Sequence, residues 1–206
     1  MLEHIPHWLG KALSGLRAGA DKLVIARPEL GGGYPALTLS SPAFADGGRL
    51  PPRFTADGEG ISPPLTWGEV PAGTASLVLI VEDADAPTPQ PLVHAVVWHL
   101  PADAGRLAEG AIVADGGGEA ARDVGRNSYF AEGWLPPDPP TGHGAHRYAF
   151  QLFALDADAG DPGEMPGRSA VVTAMAGHVL AAGVLIGTYD RGEEAPVGPS
   201  GAAAIA

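Results

Sequence analysis

Residues 76–100 read SLVLIVEDADAPTPQPLVHAVVWHL. Two runs of β-branched and large apolar side chains, 76–82 and 93–100, flank a stretch with two aspartates and three prolines. Such runs, bounded by turn residues, are the signature of strands. The same pattern recurs at LTLS (37–40) and RYAFQLFAL (147–155), and the intervals DGGRLPP, DGEGISPP and WLPPDPPTGHG are rich in proline and glycine. With 30 glycines and 21 prolines in 206 residues, the composition agrees with a β-rich domain of many turns. The strands lie at long, irregular intervals, which favours Greek-key pairing over a simple meander.

Two segments carry helical spacing. In residues 1–36, Trp8, Leu9, Ala12, Leu13 and Leu16 recur at helical intervals after Pro6. Gly10 and Gly15 weaken that helix, so it needs a surface to lie against. This arm suits docking on the body, or else dimerisation, and Gly31-Gly32-Gly33 would hinge it to a main domain of residues 37–191. In the body, SAVVTAMAGHVLA (169–181) predicts a helix capped by Ser169, with Val172, Met175, Val179 and Leu180 as its apolar stripe. A last strand is expected at 184–191, and the stretch 192–206 has no periodicity and reads as a loose tail.

The net charge of −12 opposes binding to nucleic acid or to anionic membranes. The absence of cysteine excludes disulfides, thiolate metal sites and a cysteine nucleophile. No stretch has the length and apolarity of a membrane span, and the N-terminal residues lack a signal-peptide core, so a cytoplasmic location is expected.

Three polar groups stand at strand ends. Asp83 and Asp85 follow an apolar run, His94 enters the next strand, and His146 and Tyr148 open the strand that continues to Leu155. Residues at i and i+2 share a side of an extended chain, so Asp83 pairs with Asp85 and His146 with Tyr148. Arg147 then faces away, as an ion-pair partner, and His178, Trp67 and Trp98 read as packing residues. Histidines with carboxylates admit a metal site, acid–base catalysis or a ligand pocket. The first lacks a close histidine pair of HxH or HxxxH type, and the second an evident nucleophile or oxyanion loop. The pocket reading stands slightly ahead.

The blocks SPAF (41–44), FTADG (54–58), SPPLTW (62–67), VEDADAP (81–87), HAVVW (94–98), PPTGHGAHRY (139–148) and AMAGHVL (174–180) with GTY (187–189) occur in order. Together they resemble the bacterial, Raf kinase inhibitor-like branch of the phosphatidylethanolamine-binding family. The resemblance implies a large antiparallel sheet flanked by a smaller one, with few helices. It implies a pocket at one end for phosphate, phosphorylethanolamine or a phospholipid headgroup, formed by Asp83, Asp85, His94, His146 and Tyr148 with Pro139 and Pro140 in its wall. It also implies a cis peptide bond between Ala86 and Pro87, binding without catalysis, cofactor or metal, a partner protein such as a kinase or protease, and a tendency to dimerise. The alternatives are an enzyme acting on a small phosphate ester and a dimeric interaction module with a vestigial pocket. In one respect the chain departs from the bacterial pattern. Pro136-Pro137 stands where Gly-Pro is common, so a backbone N–H there is lost.

Overall fold

The computed structural model describes residues 7–103, 105–114 and 123–191. The two long runs of 76–100 become strands β3 (Ser76–Asp83) and β4 (Leu92–Pro101), paired antiparallel. On its other edge β3 pairs with β6 (His146–Leu155), which pairs in turn with β7 (Val179–Tyr189). The resulting four-stranded sheet has the order β4-β3-β6-β7. A smaller antiparallel sheet holds β1 (Leu39–Ser40), β2 (Leu65–Trp67) and β5 (Arg106–Leu107) in the order β1-β2-β5.

Both faces of the large sheet are covered, which is why β3 is apolar without alternation. Leu77, Leu79 and Val81 join Tyr148, Phe150 and Leu152 against Leu39, Leu65, Trp67 and Leu107 of the small sheet. On the opposite face Val78, Ile80, Phe153 and Leu155 pack on Val24 and Leu30 of the arm and on Val171, Val172 and Met175 of helix α2 (Arg168–Met175). Thus the molecule has three layers, with the N-terminal segment as part of the third.

α2 is shorter than its sequence pattern. It ends at Met175 because Gly177 adopts φ +82, and the chain then turns into β7 at Val179. Val179 and Leu180 therefore belong to the strand, and the N-cap is Gly167, not Ser169. The arm holds α1 (His7–Leu13) followed by three single-turn 3₁₀ segments, Ala20–Lys22, Val24–Ala26 and Pro28–Leu30. It docks on the body, although Trp8 and Leu16 remain 69% and 56% exposed instead of forming the seam. Gly10 is the point of approach: a Cβ there would lie 2.1 Å from the carbonyl oxygen of Thr141. The expected tail, 192–206, lies outside the described residues. Among the described residues no helix is long and apolar enough to cross a membrane.

One buried carboxylate ties the layers together. Glu82, fully buried on β3, accepts hydrogen bonds from Val24 N–H (2.8 Å) and from Gln151 Nε2 on β6 (2.9 Å). It also accepts one from Arg168 Nη1 at the start of α2 (2.7 Å). Glu82→Ala strands the Arg168 charge and the Val24 donor, and urea unfolding at pH 7 should show a loss of about 3 kcal/mol.

Candidate functional site

His94 owes its orientation to a break in strand pairing. Val81 faces Ala95 and Glu82 faces Val93, so the register slips at His94 and leaves it without a cross-strand partner on β3. Bulges of this kind re-aim a side chain near the end of a sheet. Two hydrogen bonds then fix the residue: Leu135 N–H donates to the His94 carbonyl (2.8 Å), and His94 Nδ1–H donates to the Leu135 carbonyl (2.6 Å). With Nδ1 as donor, Nε2 of the neutral ring holds a lone pair. That nitrogen is buried and has no hydrogen-bond partner in the protein. Burial lowers the His94 pKa below its ordinary value, against the opposing pull of Asp83.

Asp83, the last residue of β3, faces the same way as Val81 and lies opposite Tyr148 on β6. Its Oδ1 accepts the N–H of Asp85 (2.8 Å), and its Oδ2 accepts His146 Nδ1–H (2.7 Å). His146 Nε2 lies 2.7 Å from His143 Nδ1, and His143 Nε2–H donates to the Leu13 carbonyl on the arm at 2.9 Å. A carboxylate and a carbonyl only accept, so both outer nitrogens carry hydrogens, and a further proton lies between the two rings. The His143–His146 pair therefore holds one positive charge beside Asp83. Burial, then the neighbouring His146, lowers the pKa of His143. Both ring nitrogens of His146 are thus engaged within the protein.

Asp85 has another role. The strand ends at Asp83, so the two-residue periodicity no longer applies, and Asp85 turns from the cavity toward two arginines. Its Oδ2 accepts Arg147 Nε–H (2.7 Å) and Arg147 N–H (2.9 Å), while Oδ1 accepts from Arg147 Nη2 (2.8 Å) and pairs with Arg17 Nη1 (2.9 Å). Burial raises its pKa, but the bonds from Arg147 and Arg17 outweigh that and hold it at about 2. Arg147 is the outward-facing ion-pair partner that strand alternation predicts. The expected cis bond is absent: Ala86–Pro87 is trans, like every peptide bond among the described residues. The trans isomer is the lower in energy by about 0.5–1 kcal/mol. In this turn the Ala86 carbonyl accepts N–H groups from Thr88 (2.8 Å) and Ala18 (2.9 Å).

These elements enclose a cavity of about 440 Å³ at the end of the large sheet. Asp83, His94, His146, Pro139 and Pro140 line it, together with Asp138, Leu92, Tyr129, Leu135 and Pro136. Tyr148 stands behind the wall, edge-on to His94 with ring centroids 5.0 Å apart. Its hydroxyl is buried without a partner, and burial followed by the charge of Asp83 pushes its pKa well above the ordinary range. Among the described residues no arginine or lysine lines the cavity, although Asp138 in its wall pairs with Arg191 (2.5 Å). Trp98 lies instead at a separate cavity beside α2. Sequence reasoning missed His143, Asp138 and Leu135. His143 could have been flagged by its three-residue spacing from His146 in a glycine-flanked loop, whereas the Leu135 contact depends on tertiary placement.

A family model described as phosphatidylethanolamine-binding protein matches residues 40–190. The chain belongs to the phosphatidylethanolamine-binding protein family. A UPF0098 protein of Methanothermobacter thermautotrophicus is 43% identical over 158 residues, 76% of this chain and 100% of that protein. The Mycobacterium tuberculosis protein LppC, named a candidate lipoprotein, is 38% identical over 75% of this chain and 72% of its own length. Among solved structures, Escherichia coli YbcL, described as a member of the mammalian family, superposes with a TM-score of 0.70 at 26% identity, covering 77% of this chain and 100% of YbcL. A candidate family homolog from Chlamydia trachomatis, CT736, gives 0.68 at 36% identity over 76% of this chain and 99% of that one. Members of this family bind small ligands, and the arm before residue 40 lies outside the matched family domain.

Asp85 provides a test of the frame around the cavity. Its stabilising contribution is complete above the unfolded aspartate pKa of about 3.9 and is lost as pH falls through about 2. Asp85→Asn should cost roughly 2 kcal/mol in urea unfolding at pH 7, with a smaller difference from the parent at pH 2.5.

Proposed function

We propose that the protein binds a small phosphate ester in this cavity and does not turn it over. The observation that carries this reading is the buried, unpartnered His94 Nε2 on the wall of an otherwise largely apolar cavity, with the likewise unpartnered Tyr148 hydroxyl on a ring packed edge-on behind it. Buried polar atoms are nearly always paired, so an orphan on the wall of a ligand-sized cavity marks where a ligand's polar head belongs. Phosphorylethanolamine suits the charges as well. Its phosphate meets His94 beside the His143–His146 pair, and its ammonium faces the part of the wall that holds Asp83 and Asp138, the latter paired with Arg191.

The absence of turnover is supported by the fate of the histidine relay. Asp83 orienting His146 is the supporting half of a nucleophilic triad, but the next group is His143, and the relay ends on the Leu13 carbonyl. Among the described residues His146 Nε2 is bonded to His143 and not to a hydroxyl that it could activate as a nucleophile. An enzymatic role would need His146 Nε2 to exchange His143 for a substrate or water.

The test is a calorimetric titration with phosphorylethanolamine at pH 6.5, on the parent and on His94→Leu, with 31P spectra of the mixture over several hours. We expect binding by the parent, at least tenfold weaker binding by the variant, and an unchanged phosphorus signal. An inert parent would sink the binding reading, and the appearance of inorganic phosphate would replace it with the enzymatic one. His146→Ala is the poorer choice, because it leaves Asp83 without its histidine partner and perturbs the fold itself.

A further inference from the structure

The donor and acceptor pattern at the deep end of the cavity specifies more than a phosphate ester. Because His94 Nδ1–H is committed to the Leu135 carbonyl, the neutral ring presents Nε2 as an acceptor. A fully ionised phosphate has only acceptor oxygens and would place lone pair against lone pair there. The Tyr148 hydroxyl, by contrast, has a hydrogen to donate and is likewise without a partner. An acceptor on the wall is the complement of a phosphate bearing a single proton, whose P–O–H donates to His94 Nε2.

The charged neighbours of His94 favour the same state. Asp83 approaches from β3, Asp138, paired with Arg191 at 2.5 Å, from the loop between β5 and β6, and His146, hydrogen-bonded to Asp83, from β6. Tyr148, also on β6, is held neutral by burial. Among the described residues two carboxylates and no lysine or arginine line the cavity, and Arg191 behind Asp138 is committed to Asp57 and Asp138, so a second negative charge on the ligand meets no free cation in the wall.

Building on the phosphate-ester reading, we infer that the site takes up one proton with its ligand, so that the complex holds a single hydrogen between a phosphate oxygen and His94 Nε2. A phosphomonoester that is dianionic in solution binds with one proton drawn from solvent, and one that is already monoanionic binds without. Proton and charge balance in both cases: dianion plus neutral imidazole plus H⁺ gives the same complex as monoanion plus neutral imidazole. Phosphomonoesters lose their second proton near pH 6, so above that pH the affinity should fall by about tenfold per pH unit.

The test is calorimetry of phosphorylethanolamine binding at pH 7.5 in two buffers of different protonation enthalpy, together with Kd values from pH 5.5 to 8.5. The parent should take up about one proton at pH 7.5 and lose about 100-fold in affinity between pH 6.5 and 8.5. His94→Phe should lose that uptake along with most of the affinity. Binding with no proton uptake, or uptake that persists in His94→Phe, overturns the inference and leaves the binding reading standing. No binding by the parent at any of these pH values removes both. Should the variant fail to fold, the 15N resonance of His94 Nε2 in the parent decides the matter. A shift from the lone-pair position toward the hydrogen-bonded one on adding ligand supports the inference, and an unmoved resonance overturns it.

Discussion

Three carboxylates, Glu82, Asp83 and Asp85, are buried within four residues at the end of β3. An unpaired buried charge costs several kcal/mol, so each must find a partner, and no one element supplies all of them. Glu82 draws in α2 and the arm, Asp83 draws in the first residue of β6, and Asp85 draws in Arg147 and again the arm. The requirement to neutralise this short acidic run fixes where the sheet, the helix and the N-terminal segment meet, and the cavity lies at that meeting point.

The cavity arises where regular pairing ends. Along most of its length β3 is matched residue for residue with β6, and its side chains alternate between two apolar layers. At the His94 slip and beyond Asp83 the ladder no longer dictates which side chain faces where, and loop contacts take over. Leu135 sets the tautomer of one histidine, and Leu13 sets that of another. A rigid sheet thus provides position, while main-chain carbonyls of a neighbouring loop and of the end of α1 provide the protonation pattern.

The strands were legible because their signal is local: β-branched and aromatic runs bounded by proline and glycine. The placing of Asp83, His94, His146, Pro139 and Pro140 around one cavity was legible from strand ends and from the family resemblance. What escaped the sequence was non-local or lay just past a boundary. Asp85 was grouped with Asp83 by a rule that holds only while the strand continues, and the strand stops two residues before it. The helical pattern of 169–181 continued through Gly177 because Val179 and Leu180 are as suitable for a buried strand as for a helix stripe. In α1, Gly10 looked like a weakness of the helix; it is instead the site of closest approach to Thr141. His143 was passed over because its meaning depends on an arm residue 130 positions away.

The Leu13 contact makes the arm a chemical part of the cavity as well as a cover for the sheet. Residues before 40 fall outside the shared family domain, yet a carbonyl from that segment selects which nitrogen of His143 bears hydrogen, and through His143 the proton inventory beside Asp83. Linkage of this kind runs in both directions. Anything that loosens the arm alters the electrostatic character of the cavity, and any occupant that changes the cavity's protonation alters, by the same free energy, how tightly the arm is held. Two family members with identical cavity walls would for this reason differ in ligand preference according to what, if anything, lies against the far side of this histidine pair.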